Sequence, residues 1–203
     1  MKMDKIYVFN NSKKIKENVI ESSLSEIERI RPLDIILLEN SDGLIKKCIK
    51  NSFERYRNQV NANKFLRQLI PSLKKLNLGE SQRIVLFDED LYYSGTNWVF
   101  GGFSRFAPGP GYIVLSANRV KNDLQMKDIL CHETGHMFSA PRSGRKNTYE
   151  SLGNHCSNEL CVMQQKLTIE ESIKFTIERA SKHADTYCED CKKDIASFYY
   201  GYF

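Results

Sequence analysis

Between Lys13 and Ile30 the apolar positions are Ile15, Val19, Ile20, Leu24, Ile27 and Ile30, a spacing close to the helical repeat that predicts a helix with one buried face. On either side of it, KIYVF (Lys5–Phe9) and DIILL (Asp34–Leu38) are short β-type runs and predict strands. Two more helical stretches follow, from Asp42 to about Val60 and from Asn63 to Leu76. The second contains Pro71, which lacks a backbone donor and is expected to kink or split it. After Arg83 the texture changes. RIVLF (Arg83–Phe87), NWVFGGF (Asn97–Phe103) and GYIVL (Gly111–Leu115) predict strands, with the turn-forming APGPG (Ala107–Gly111) between the last two. Asn122 or Asp123 can then cap a helix running to about Phe138, and Thr168 with Glu171 forms a capping-box pattern opening a helix to about His183. Residues 139–153 (SAPRSGRKNTYESLG) are polar and turn-rich and predict a loop. The first third of the chain thus alternates short β-type runs with helical patterns.

At 203 residues, with no repeat and no linker, one domain is expected. The composition is that of a soluble globular protein, 41% hydrophobic and 27% charged. The net charge of +5 comes from basic residues scattered along the chain, so a solvated surface is expected and not a nucleic-acid patch. MKMDKIYVFN has no signal-peptide pattern, and no apolar run approaches the roughly 18 residues of a membrane span. The expected location is cytoplasmic, with no membrane partner. In a reducing compartment six cysteines point to metal or catalysis more than to disulfides.

The chemistry concentrates in HETGH, residues 132–136. His132 and His136 are four apart and share one helix face, so both imidazoles can grip one zinc ion, with Glu133 placed to reach a water there. Two of the four histidines are spent here. The extended metzincin signature places a glycine three residues on and a third histidine three beyond that. Those positions hold Ser139 and Arg142, and arginine cannot ligand zinc because it stays protonated. The next histidine is His155, in GNHCSNELCVM (153–163). Glu150 and Asp185 are carboxylate alternatives, whereas His183 reads as a helix-end surface residue. Cys156 and Cys161, with the Cys188/Cys191 pair of CEDC, form a set suited to a tetrahedral zinc–thiolate site. Cys48 and Cys131 fall on helical stretches and read as core cysteines.

HETGH, HCSNELCVM (155–163) and CEDC together resemble the archaemetzincin family of metzincin-clan zinc proteases, whose pattern is HExxHxxGxxHCxxxxCxM followed by CxxC. The departure is an insertion of 13 residues, since the third histidine is His155 instead of position 142. Softer likenesses at residues 53–69, 86–103 and 113–120 extend the resemblance over about residues 53–195. It implies an α/β (α+β) metzincin-like zincin fold with a twisted mixed sheet and an active-site helix, in one metalloprotease domain. Residues 1–136 would form an N-terminal subdomain ending in the zinc helix, and 137–203 a C-terminal one. It further implies a catalytic zinc on His132, His136 and His155, with Glu133 as general base and acid. Met163 would be the methionine of a Met-turn beneath the metal, and Cys156, Cys161, Cys188 and Cys191 would hold a second, structural zinc. The implied partner is a peptide or protein substrate, paired by its backbone to an edge strand within Trp98–Leu115, and the expected state is a monomer. Rival readings are a non-catalytic zinc-binding interaction module and a metal-dependent amidase acting on small molecules. Without the glycine at position 139, the longer loop is expected to reach its endpoint with ordinary backbone geometry. Its Arg142 and Arg145 are expected to be solvated charges or to favour acidic substrate groups.

Overall fold

A computed structural model describes residues 4–38, 42–105 and 109–198. Ala107 and Pro108 of the expected turn lie outside the described residues. In chain order the elements are β1 (Asp4–Asn10), α1 (Glu17–Glu28), β2 (Leu33–Leu37), α2 (Asp42–Ser52), β3 (Phe53–Glu54), β4 (Gln59–Asn61), α3 (Ala62–Lys74) and β5 (Gln82–Phe87). There follow β6 (Leu91–Tyr92), β7 (Gly101–Arg105), β8 (Gly111–Ser116), α4 (Asp123–Met137), β9 (Thr148–Glu150), β10 (Asn154–Cys156), α5 (Ile169–Ser181) and α6 (Glu189–Ala196). They gather into two compact units, Met1–Lys16 with Asp34–Arg119, and Glu17–Leu33 with Val120–Phe203.

The first unit is built on a five-stranded mixed sheet in the order β2-β1-β5-β8-β7. β1, β5 and β8 run parallel, while β7 pairs antiparallel with β8 and forms one edge. β5 and β8 are buried at every position, which is why RIVLF and GYIVL read as continuous apolar runs without alternation. One sheet face presents Phe9, Val85, Phe87, Tyr112 and Val114 to Ile45 and Ile49 of α2 and to Phe65, Leu66, Leu69 and Leu73 of α3. Asn61 caps α3 by accepting from the Lys64 amide at 3.1 Å.

Three expectations change here. The helix begun at Asp42 ends at Ser52, because the chain turns through Asn58, whose φ of +56° belongs to no helix, between the short strands β3 and β4. Pro71 does not split α3, since it falls in the last turn of a helix anchored by five buried apolar side chains. NWVFGGF is a strand only from Gly101, with Val99 making an isolated bridge to Leu91. The glycine there has a packing reason, because a Cβ on Gly101 would meet the Val114 carbonyl of β8 at 2.5 Å.

In the second unit α4 is enclosed. α1 packs along it, with Cys131 Sγ donating to the Ser23 carbonyl at 3.5 Å and Lys127 paired to Glu26 at 2.7 Å. α5 contributes Ser172, which accepts from Gln125 Nε2 at 3.0 Å, and Thr176, which donates to Asp128 at 2.9 Å. Cys131 and Cys48 are both buried core cysteines, as expected. Among the described residues no helix is long and apolar enough to cross a membrane. Phe65, fully buried with its ring centroid 5.3 Å from that of Phe87, offers a direct test of the first core. Phe65→Ala is expected to lower unfolding free energy by about 3–5 kcal/mol in urea titrations.

Candidate metal centres

α4 starts where Asn122 Oδ1 accepts from the Gln125 amide at 2.8 Å, and its last two turns carry His132, Glu133 and His136. It stops by a Schellman arrangement. The Ala140 amide donates to the Gly135 carbonyl and the Ser139 amide to the His136 carbonyl, both at 2.9 Å. Ser139 occupies the left-handed position with φ +62°. The expectation of ordinary geometry at this point therefore fails: the abrupt turn is made without glycine, and two backbone hydrogen bonds hold it.

Residues 139–153 are not loop throughout. β9 and β10 form an antiparallel hairpin with His155 opposite Tyr149 and Cys156 opposite Thr148. Leu152 (φ +52°) and Gly153 (φ +126°) make its turn. The return strand brings His155 to the helix, where the His132, His136 and His155 ring centroids lie 4.7, 5.2 and 5.1 Å apart pairwise. The two helix Nε2 atoms are 3.1 Å apart. Tetrahedral ligands at Zn–N bonds of about 2.0–2.1 Å sit about 3.3–3.4 Å from one another, close to the separation of these two nitrogens. One nitrogen from each of the three histidines falls within a 4.8 Å span, and the group could hold a metal. Neither Glu150 nor Asp185 belongs to it: Glu150 is exposed, and Asp185 pairs with Lys192 at 2.8 Å. His183 is exposed just beyond α5.

Each imidazole is steered by a backbone carbonyl. His132 Nδ1 donates to Val162 at 2.8 Å, His155 Nδ1 donates to Gly153 at 3.2 Å, and His136 bonds the carbonyl of Ala140. With Nδ1–H of His132 committed, its Nε2 lone pair faces the shared point. Burial holds His132 down to about 4 and lowers His136 and His155 as well, so all three stay in the neutral form a metal requires. Burial alone pushes the Glu133 carboxyl up to about 8. Tyr149 stands beside His155 with ring centroids 6.0 Å apart, and its hydroxyl accepts from the Gln165 amide at 3.1 Å.

Beneath the helix lies Met163, fully buried. A Cβ on Gly135 would overlap its Sδ and lie 3.0 Å from its Cε and 3.2 Å from Tyr187 Cε1. The Gly of HETGH is thus a packing requirement, because the sulfur touches the helix backbone. Tyr187, also buried, donates its hydroxyl to the Cys131 carbonyl at 2.6 Å.

The four cysteines Cys156, Cys161, Cys188 and Cys191 converge in a second group within the same span. Cys156 Sγ and Cys188 Sγ are 3.7 Å apart, against about 3.8 Å expected between sulfurs on a zinc at Zn–S bonds of about 2.3 Å. Cys188 is the N-cap of α6 and Cys191 lies in its first turn, so the positive end of the helix faces the sulfurs. The Cys188 amide donates to Cys161 Sγ at 3.4 Å. The thiols share protons: hydrogen bonds from Cys161 and Cys191 lower Cys156, and those from Cys161 lower Cys188, whereas Cys161 and Cys191 are raised. Arg145, expected to be a solvated or substrate-facing charge, instead bonds Asp194 at 2.6 Å and reaches this cluster. It was missed because nothing in sequence links position 145 to α6. The same holds for Tyr187.

The α/β units and the three-histidine cage on the HETGH helix define a zinc-site protein of metzincin type. No family model matches the chain. It is 30% identical over 144 residues to the archaemetzincin of Nanoarchaeum equitans (strain Kin4-M), covering 71% of this chain and 66% of that relative, just under two thirds of its length. Among solved structures it is similar to the archaemetzincin of Methanopyrus kandleri (TM-score 0.64, 19% identity, 95% of this chain and 93% of that one). The archaemetzincin of Archaeoglobus fulgidus, solved with malonate, gives a TM-score of 0.59 at 22% identity, over 94% of this chain and 99% of that one. A zinc-dependent peptidase from Methanocorpusculum labreanum gives 0.58 at 19% identity, over 94% and 99%. These three show the fold. The 30% identity to one archaemetzincin and the fold shared with two others both point to the archaemetzincin family.

Two substitutions test the packing of the zinc helix. Ser139→Gly is expected to raise thermal stability, by about 0.5–1 kcal/mol, because it relieves a left-handed non-glycine residue. Gly135→Ala is expected to lower stability by about 1–3 kcal/mol and to displace Met163, read as a shift of the Met163 methyl resonance.

Proposed function

We propose that this protein is a zinc-dependent metallopeptidase. The observation that carries the reading is the convergence of His132, His136 and His155 on one point, with Glu133 on the helix between two of them. Those three histidines would hold the catalytic zinc, and Cys156, Cys161, Cys188 and Cys191 a structural one. When bound, the catalytic ion supplies a Lewis acid for a carbonyl and lowers the pKa of a coordinated water. Glu133, otherwise held high by burial, would be the base that takes a proton and returns it to the leaving amine. The Val162, Ala140 and Gly153 carbonyls would hold the ligands in register. Met163 would form an apolar floor, consistent with its position against Gly135.

The substrate class is peptide or protein, in keeping with the zinc-dependent peptidase among the structural neighbours. Among the described residues β7 is an edge strand of the five-stranded sheet, and such an edge offers backbone groups suited to an extended chain. A retained Glu133 favours an enzyme over a purely structural module, which needs no base beside its ligands.

Glu133→Ala is expected to cut hydrolysis of peptide substrates by about 10²–10⁴-fold while elemental analysis still finds two zinc ions. Activity at wild-type level in that variant would remove Glu133 from the mechanism. His155→Ala and Cys188→Ser should each lose one zinc. Undiminished metal affinity in His155→Ala would exclude it as the third ligand.

A further inference from the structure

The side chain whose position neither set of ligands explains is Arg145. It rises from the connection between His136 and His155 and is 17% exposed. Nη1 donates to Asp194 Oδ2 at 2.6 Å, while Nη2 lies 3.5 Å from Cys156 Sγ and 3.4 Å from Cys191 Sγ. One planar group thus bridges a cysteine of β10, a cysteine of α6 and a carboxylate of α6. Two neighbours repeat the attachment: the Arg142 amide also donates to Asp194 Oδ2 at 3.0 Å, and Asn147 Nδ2 donates to Asp190 Oδ2 at 2.9 Å. Asp190 and Asp194 are four apart on α6 and so lie on one side of it.

Four thiolates around a divalent cation carry a net charge of −2, from +2 and −4. Three of the cysteines, Cys156, Cys161 and Cys191, are at most 1% exposed. A buried anion of that kind needs a hydrogen-bonded counter-charge, and Arg145 reaches two of its sulfurs. Protonated thiols exert no comparable pull on a guanidinium. The attraction is therefore strongest when the cysteines hold metal, and it acts on the connection that ends in His155 and Cys156.

We propose that Arg145 is a positioning residue that couples the two metal centres, neutralising the tetrathiolate and thereby holding the hairpin that presents His155. The inference rests on the reading that the four cysteines bind metal. A guanidinium that merely paired with Asp194 would influence folding stability without changing metal affinity.

The test is a cobalt(II) titration of the metal-stripped full chain. Thiolate-to-cobalt charge-transfer absorption reports the cysteine site, and competition with a chelator gives the affinity of each site. Arg145→Gln is expected to weaken cobalt binding at the cysteines by about 10–100-fold. It should also weaken binding at the histidines, none of which Arg145 touches. Arg145→Lys should restore part of the loss, since an ammonium lacks the fork that spans both sulfurs and Asp194, and Lys146→Gln, an exposed charge of the same connection, should leave both affinities unchanged. Wild-type affinity at both sites in Arg145→Gln would overturn the coupling. So would a fall in melting temperature alone, equal in the Gln and Lys variants. Should Arg145→Gln fail to fold, hydrogen exchange on the His132→Ala chain decides the matter: cobalt at the cysteines is expected to slow exchange across residues 145–156, and unchanged exchange would overturn the proposal. Absence of a charge-transfer band in the wild-type chain would overturn the metal reading and the inference together; a normal band with an unaltered Arg145→Gln titration would overturn only the inference.

Discussion

His155 and Cys156 are joined by a single peptide bond, and each faces a different cluster. Adjacent residues of a strand project to opposite sides, so one extended dipeptide can serve two sites only if its backbone is held rigidly. The surrounding hydrogen bonds are arranged to that end. The Cys156 amide donates to the Met163 carbonyl at 3.0 Å, and the Ser157 amide to Asn147 at 3.0 Å. Asn154 Nδ2 reaches the Pro141 carbonyl at 2.8 Å, and the facing strand supplies the ladder. Val162, the residue before Met163, orients His132, so the segment that carries Met163 also fixes a histidine of the helix. Histidine cage, methionine and cysteine cluster are consequently one piece of backbone engineering.

The zinc helix shows how a polar motif is kept inside a protein. Polar residues, Gln125 and Thr134, are among its buried positions, so its sequence lacks the clean apolar stripe of a surface helix. Three of its polar side chains have partners: Gln125 with Ser172, Thr134 with the Leu130 carbonyl at 2.5 Å, His132 with Val162. Enclosure by α1, α5 and Tyr187 also makes the surroundings apolar enough to keep three imidazoles neutral while raising Glu133. Packing and chemistry have the same cause here.

Much of this was legible in the sequence. β1, β2, β5 and β8, the caps at Asn122 and Thr168, and the grouping of three histidines and of four cysteines were readable because they depend on local periodicity or on residue types few other roles require. The misreadings share a different origin. Gln59–Asn61 continues a helical pattern yet pairs with β3 and β6, a choice made by partners distant in the chain. Ser139 takes a conformation its side chain disfavours because hydrogen bonds from residues 139 and 140 fix it. Arg145 looked like one basic residue among many, and only tertiary structure sets it against Asp194 and two sulfurs. Gly135 sits in the variable part of the motif, where sequence alone gives no hint that Met163 lies against it.

The Schellman turn at Ser139 bears on how such proteins are searched for. A pattern that demands glycine after the second histidine, and a third histidine at fixed distance, encodes one solution to a geometric problem as though it were the problem itself. What this chain preserves is the helix stop and the arrival of an imidazole at the cage. A serine in the left-handed conformation, followed by a hairpin, satisfies both. A pattern that scored the helix, the HC pair and the cysteine spacing independently of the intervening length would accept this chain, which the contiguous signature rejects.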